Sequence, residues 1–398
     1  MAGDRLQTTR MTTRLRALDV FRGATVALMI LVNNPGSWAA LYPPLAHAPW
    51  HGCTPTDLVF PFFLFAVGNA LAWVMPGWQA GSSAAFWRKV WRRTALILAI
   101  GVLLNATPFV RWDAAGELVW RDAGGLRLMG VLQRIALAWG AAAVIVWLAG
   151  ARRVPLVAAV LLLGYWAACL AWGEAGDPYG LEGWFGTRLD RAVLGAAHLY
   201  QGEGRPFDPE GLASTAPAVA QVLLGWWAGQ RLRSARPSAE TVARLFVAAL
   251  LIGVAAYAWQ LVMPINKKIW SSSYVLLTTS LAMATLAALV WHLDVQGLAQ
   301  RRPAAWVRFC EVFGKNALFV FVLSGLLPRL LWLWRWPDGV DEQGRPRWLT
   351  PMPWLYRTLF ADIGSDPRLG SLLFAVANLA AYWALAAWLD RRRIYIRV

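Results

Sequence analysis

Charge is scarce in this sequence: 15% of its 398 residues are Asp, Glu, Lys or Arg, against 58% apolar side chains. That leaves too little polar surface to coat a water-soluble globule of this size, which excludes an ordinary soluble domain. Acid is scarcer than base, with 22 Asp and Glu against 38 Lys and Arg. Cysteine is nearly missing. Cys53, Cys169 and Cys310 are an odd number without metal or redox spacing, so no disulfide framework is expected. A removable leader is not expected either, because Asp19 and Arg22 lie inside the first apolar segment and no small-residue cleavage site follows it cleanly.

What the chain has in abundance is long apolar runs. "ATVALMILV", "LVFPFFLFAVGNALAWVM", "IALAWGAAAVIVWLAG" and "LFVAALLIGVAAYAWQLVM" approach or fill the length of helix that crosses hydrocarbon. Twenty-six tryptophans suit the same solvent, since indole pairs an apolar body with one N–H that fits the headgroup zone. "WLWRW" at 332–336 reads as such an anchor. The predicted class is an all-α integral membrane protein, one domain over residues 1–398. About ten transmembrane helices are expected, near 18–35, 57–75, 93–109, 129–149, 154–172, 213–229, 242–263, 271–292, 309–333 and 369–389.

The net charge of +16 could suggest nucleic acid, but its distribution argues for lipid. Basic residues fall in short clusters between apolar runs: a segment 1–15 with Arg5, Arg10 and Arg14, with Arg16 just after it; Arg88, Lys89, Arg92 and Arg93; Arg152 and Arg153; Arg231, Arg233 and Arg236; Arg301, Arg302 and Arg308; and the closing "RRRIYIR". They follow every second span, which predicts cytoplasmic loops facing anionic lipid and both termini in the cytoplasm. Among the alternate loops, 36–56 lacks Lys and Arg and 173–212 is acid-rich. Two of them, 173–212 and 335–368, are long periplasmic loops rich in Gly, Pro and Asp turns.

Polar residues beside the membrane mark the candidate site. Span one ends "LVNNPGSW", and "LAHAPWHGCTPTDLVFPFFLF" follows. Asn33 and Asn34 sit at the outer interface, and Pro35 stops the helix. His47 lies in a stretch broken by Pro43, Pro44, Pro49 and Pro55. An irregular segment at this depth is buried in protein or lines a wet cavity, so an imidazole, two amides and the Asp57 carboxylate converge. Two readings stand for Asp57, a cap for span two or a partner for the imidazole. His47 could equally be a surface histidine. His47, His51, Cys53 and Asp57 could hold a metal, but the prolines spoil helical pairing of the histidines and no metal site is expected. Within the spans lie Gln133 and Arg134, Lys267 and Lys268 just before span eight, and Lys315 with Asn316 in span nine. Ionisable residues there are functional by default, although Arg134 could simply pair with a carboxylate or helix end. Asp19 and Arg22, three apart, are expected to pair.

The stretches "RLRALDVFRG", "MILVNNPG", "HAPWHGCTPTDLVFPFFLFAVG", "GVLQRIAL", "FDPEGLAST", "NKKIWSSSYVL" and "GKNALFVF" together resemble the heparan-α-glucosaminide N-acetyltransferase family, in particular its bacterial NagX-type branch. The resemblance runs from about residue 14 to the C-terminus. "LDVFRG" is shared more widely among membrane acyltransferases, whereas "HAPW…DLVFP" followed by "FDPEG" is specific. A counterpart of the large lumenal N-terminal domain of the animal enzymes is not seen. The resemblance implies a protein of the bacterial inner membrane that takes acetyl from cytoplasmic acetyl-CoA and acetylates an amino sugar on the far side. It also implies a catalytic role for His47, a role for Asn33, and a role for Asp208 and Glu210 of "FDPEG". It leaves position 51 without one. A homodimer is compatible with the family and with small-residue stretches such as "GAAAV".

On that basis His47 is expected to act as general base or as acetyl carrier. Asn33 or Asn34 would donate to the carbonyl oxygen, and Asp57 would orient the imidazole. Trp50, Asp208 and Glu210 would contact the acceptor sugar. Arg88, Lys89, Arg92 and Arg93 at the inner mouth, with Gln133, Arg134 and Lys268 further in, would hold the CoA head. The basic loop could equally serve topology alone. An extended pantetheine arm spans roughly 20 Å against a core of about 30 Å, so either the nucleotide sinks into the bundle or the outer loop folds inward. A secondary transporter of an amino sugar is the alternative, resting on Arg134, Lys315 and Asn316. A scaffold protein would leave the Asn–His–Asp cluster without purpose.

Overall fold

The computed structural model describes residues 15–113, 115–235, 237–297 and 304–396. Arg5, Arg10, Arg14, Arg236, Arg301, Arg302 and Arg397 of the expected basic clusters lie outside the described residues. The ten expected segments are all helical: α1 (Arg16–Asn33), α2 (Val59–Gln79), α3 (Ser83–Ala106), α4 (Val131–Ala149), α5 (Val154–Trp172), α7 (Thr215–Ser234), α8 (Ala239–Trp259), α9 (Ser272–Val290), the pair α10 (Ala305–Lys315) and α11 (Ala317–Leu331), and α13 (Pro367–Arg391). Among the described residues six helices are long and apolar enough to cross a membrane, and the α10–α11 pair makes a seventh if read as one bent span. α1 and α3 carry several charges each (Arg16, Asp19 and Arg22; Arg88, Lys89, Arg92 and Arg93) and yet pack into the same bundle. α5 and α8 turn rows of Leu and Val outward, including Leu156, Val160, Leu163, Leu250, Leu251 and Val254. Such faces suit lipid and not water. The chain is a multi-pass membrane protein.

Small residues set how close the helices come. A Cβ on Gly68 of α2 would fall 2.0 Å from the Val222 carbonyl oxygen of α7, and one on Gly23 of α1 would fall 1.6 Å from that of Cys310 on α10. Backbone therefore meets backbone at both crossings, which only glycine permits.

Span nine departs from the expectation of a single helix over 309–333. It breaks at Asn316, where α10 and α11 meet at 78°. The Asn316 amide donates to the Ile394 carbonyl and its oxygen accepts from the Ile396 amide, while Lys315 pairs with Asp390 at 2.9 Å. These contacts hold the corner in place of the helical hydrogen bonds it gives up. Pairing of Asp19 with Arg22 is as expected.

One end of the bundle carries the long connections. Contacts tie 34–58, 107–130, 173–214, 260–271 and 332–366 together there: Leu128 to His198, Gly52 to Ile265, Trp50 to Tyr179, and Arg335 to Trp112. The expected long loops are not structureless. Residues 173–212 contain α6 (Phe185–Leu194), and 335–368 contain the hairpin β3 (Trp336–Val340) with β4 (Pro346–Leu349), followed by α12 (Pro351–Leu359). A second hairpin, β1 (Val110–Trp112) with β2 (Leu118–Trp120), precedes α4. The Arg335 guanidinium sits 3.9 Å from the Trp112 ring and 4.0 Å from that of Trp348, which clamps the two hairpins together.

Candidate active site

The proline-broken stretch after α1 is tied down group by group. Thr54 and Asp57 form a capping box at the turn Pro55–Leu58 that opens α2. The Thr54 hydroxyl also donates to the Ala46 carbonyl at 2.7 Å, the Thr56 hydroxyl to that of Pro44, and the Tyr274 hydroxyl of α9 to the Asp57 carbonyl at 2.5 Å. Asp57 is 1% exposed, and its Oδ2 accepts from the Ala48 amide, the Thr54 amide and the Thr54 hydroxyl at 3.0–3.1 Å. Its Oδ1 lies 2.7 Å from Nδ1 of His47. Both sequence readings of Asp57 therefore hold at once: one oxygen caps, the other meets the imidazole.

A second loop approaches from between α8 and α9. Gly52 donates to the Ile265 carbonyl at 2.7 Å and forms a parallel bridge with Asn266. Asn266 in turn accepts from the Ile269 amide and lies 3.3 Å from His51. This register sets the Lys267 ammonium 3.0 Å from Nδ1 and 3.4 Å from Nε2 of His47, and 3.5 Å from Asp57 Oδ1. Burial pulls the Lys267 amine below the usual lysine range, against the opposing pull of Asp57 and Glu210. Lys268, the neighbour singled out from sequence, points elsewhere. It pairs with Glu203 at 2.6 Å and lies over the Trp50 ring.

His47, Asn33, Thr56, Glu210 and Lys267 line one chamber of about 180 Å³, floored by Met29, Phe60 and Phe321. Met29, Asn33, Val131 and Phe321 also line a cavity of about 510 Å³ that adds Asn34, Asn105, Arg127 and Gln133. A third, of about 790 Å³, shares Asn105, Arg127 and Arg329 with the second and reaches Tyr200 and Trp332. The chamber at His47 thus continues into a wide vestibule at the long-loop end. Asn34 contributes less than Asn33, because its amide donates to the Ile30 carbonyl at 2.8 Å and finishes α1.

Asp208 and Glu210 stand together, held by Arg127. Its guanidinium meets Asp208 at 2.9 and 2.6 Å and Glu210 at 2.5 Å. Burial raises the Glu210 carboxyl, but Arg127, Arg134 and Lys267 outweigh it and leave it below the usual range. Glu210 reaches the chamber wall; Asp208 backs it from behind. Trp50 donates its indole N–H to the Tyr179 carbonyl at 3.0 Å and packs on Phe207, which places it beside the loops and not among the residues lining the chamber. Burial together with Asp57 pushes the Cys53 thiol up to about 12, so no thiolate nucleophile is available there at neutral pH.

The basic cluster of α3 is not brought to His47. Arg88, Lys89, Arg92 and Arg93 occupy the start of that helix, whereas Asn105, which lines the vestibule, is at its end. The rise from Arg92 to Asn105 is about 20 Å. Arg93 lies over the Trp139 ring, 4.5 Å away. Gln133 does line the larger cavity. Arg134 is fully buried, hydrogen-bonded to the Gly211 carbonyl and the Ser214 hydroxyl and resting on Trp270.

Two curated relatives share this sequence over most of its length. It is 28% identical over 363 residues to the human protein named heparan-alpha-glucosaminide N-acetyltransferase, and 28% identical over 370 residues to the mouse protein of the same name. Each alignment covers 78% of this chain. The chain is similar to the heparan-alpha-glucosaminide N-acetyltransferases. It spans about half the length of the relatives it matches, 52% of the human protein and 53% of the mouse one. No protein-family model matches it.

In this cluster Arg127 was not singled out from sequence, and of the lysine pair named there it was Lys268, not Lys267, that was given a role. Lys267 is one of two adjacent lysines in a non-helical turn, where no periodicity says which one faces the site. Arg127 stands alone in a loop, and its carboxylate partners are 81 and 83 residues further on. The only hint of it is the acidic pair of "FDPEG", which requires a buried cation somewhere.

Proposed function

We propose that this protein is a transmembrane N-acetyltransferase of the bacterial inner membrane. It would take acetyl from acetyl-CoA at the cytoplasmic side and pass it to the amine of glucosamine, or of a glucosamine-containing glycan, at the periplasmic side. The observation that carries this reading is the His47–Asp57 pair at 2.7 Å, set beside Asn33 and Glu210 in one chamber. An ammonium has no lone pair and cannot attack a thioester, so the acceptor must first lose a proton to a base. With Nδ1–H given to Asp57, Nε2 of His47 keeps the lone pair that takes it. The amine then forms the C–N bond. Asn33 donates to the carbonyl oxygen as charge gathers there, His47 returns a proton to the departing sulfur, and the second proton of the acceptor nitrogen leaves to solvent. The same geometry serves a course in which Nε2 itself carries the acetyl group between sulfur and nitrogen. Glu210, held by Arg127 and backed by Asp208, offers a carboxylate to the acceptor ammonium or hydroxyls; Asn34 lines the adjoining cavity.

The donor end is assigned to Arg88, Lys89, Arg92 and Arg93. Among the described residues, Arg93 Nε, Thr94 Oγ1, Trp73 Nε1 and both polar atoms of the Asn69 amide are buried without a partner. They lie in the halves of α2 and α3 away from His47. Buried polar groups of this kind want a polar ligand, and a sunken nucleotide with its pantetheine arm directed along α3 supplies one. Gln133 would meet the arm near its reactive end. Arg134, Lys315 and Asn316, on which a transporter reading would rest, each bond to protein, although Nε and Nη1 of Arg134 are buried without a partner.

The test is purified protein in detergent with acetyl-CoA and a panel of amino sugars and their oligomers, scored by free CoA thiol. Thiol release that needs the amino sugar and disappears in His47→Ala is the expected result. Equal rates for wild type and His47→Ala would remove His47 from the chemistry, and counterflow of labelled glucosamine in vesicles free of acetyl-CoA would replace the transferase with a transporter.

A further inference from the structure

The Lys267 ammonium is nearly equidistant from the two ring nitrogens of His47, 3.0 and 3.4 Å. A donor lying in the plane of an imidazole and aimed at one nitrogen is much further from the other. Near-equal distances therefore put the ammonium over the face of the ring. From there it does not compete with Asp57 for Nδ1, which keeps its 2.7 Å contact. The charged and titratable groups facing this point are Asp57 from the start of α2, Glu210 from the segment before α7, and Cys53 and His51 from the proline-broken loop. Glu210 is already engaged by Arg127. Cys53 is a neutral thiol, and His51 is turned to Asn266. Asp57 is thus the one carboxylate that touches both His47 and Lys267.

We propose that Lys267 is a positioning residue that holds His47 in its neutral, proton-accepting form by occupying the single positive charge that Asp57 can match. Two cations 3.0 Å apart repel, so a charge on the amine works against a second one on the ring. The stoichiometry of the transfer makes this useful. Going from R–NH₃⁺ and a thioester to R–NH–CO–CH₃ and a thiol, nitrogen gives up two protons and sulfur takes one. One proton is left over at each turnover, and a base already carrying a proton cannot begin the next. The Lys267 charge opposes that state at rest. When His47 does take a proton, the same repulsion drives it on, either to sulfur or out to solvent.

This inference rests on the transferase reading, and its test separates the two. The pH dependence of kcat/KM is measured for wild type, Lys267→Arg and Lys267→Met, with Lys267→Gln as a second neutral variant in case Met does not fold. Folding is judged by elution volume and helical circular dichroism. In the neutral variant the acid limb moves to higher pH by about one unit or more, because the imidazole now accepts a proton that the neighbouring charge had refused. Above that limb it regains rate. Lys267→Arg, which keeps a cation over the ring, retains the wild-type limb. A neutral variant whose profile superimposes on wild type after scaling, or that is inactive at every pH, overturns the proposal and leaves the His47 chemistry standing. Full activity in His47→Ala would overturn the transferase reading itself.

Discussion

Asp57 meets His47 with one carboxylate oxygen and caps the start of α2 with the other. The two duties come apart on substitution. Asp57→Asn keeps an oxygen for the Thr54 and Ala48 amides but loses the charge that fixes the imidazole tautomer. We expect kcat to fall by about 10²–10⁴-fold with little change in KM. Asp57→Ala removes the cap as well and lowers stability by a further ~1–3 kcal/mol, read as Tm in detergent. Equal Tm losses in the two variants would mean that the cap contributes nothing.

Asn33 and Asn34 are neighbours with different employment. Asn33 lines both the chamber and the larger cavity, so Asn33→Ala should cost about 10²–10³-fold in kcat at unchanged Tm. Asn34 closes its own helix on the Ile30 carbonyl, so Asn34→Ala should lower stability by about 1 kcal/mol and leave kcat within a few-fold. Steady-state kinetics of the pair decide it: matching losses of kcat would assign both amides to the reaction.

Much of this was legible in the sequence, for physical reasons. Apolar runs of membrane-crossing length mark the helices because the backbone must satisfy itself in lipid. His47 stands out because prolines forbid helix around it. The corner at Asn316 does not, since α10 and α11 are both apolar and what bends them is a contact with Ile394 and Ile396 some eighty residues away. Lys267 was hidden by Lys268 for a similar reason. A turn residue faces whatever its tertiary partner dictates, and here that partner is the bridge between Gly52 and Asn266.

Arg127 neutralises Asp208, whose side chain is 0% exposed, and Glu210, at 13%. Arg127→Ala leaves two carboxylates facing each other and is expected to cost about 3–5 kcal/mol. Adding Asp208→Asn should recover part of it. Glu210 is held below the ordinary carboxylate range, so its contribution is present at neutral pH and is lost as pH falls below about 4. Thermal unfolding of wild type and Glu210→Gln at pH 5 and pH 3 reads the difference. A Tm that drops equally in both proteins across that window contradicts the pairing.

Asp190 behaves in the opposite sense. Burial raises its carboxyl to about 6, although the Ala213 and Leu212 amides oppose the rise. A carboxyl that binds its proton more tightly folded than unfolded stabilises below about pH 4 and loses that contribution as pH climbs towards 6. We expect wild type to lose up to about 3 kcal/mol across that window, a loss superimposed on the opposite trend from Glu210. Asp190→Asn, which can still accept from both amides, should abolish it. Parallel Tm curves for the two proteins from pH 4 to pH 8 would refute the assignment.

Gly23 joins α1 to α10 with no side chain between the two backbones. Such a joint has nothing compressible in it, and the eleven residues from Gly23 to Asn33 form an unbroken rod of about 15 Å. Any residue larger than glycine at position 23 would therefore have to push α1 or α10 aside bodily, and a displaced α1 carries with it the Asn33 amide that lines the chamber.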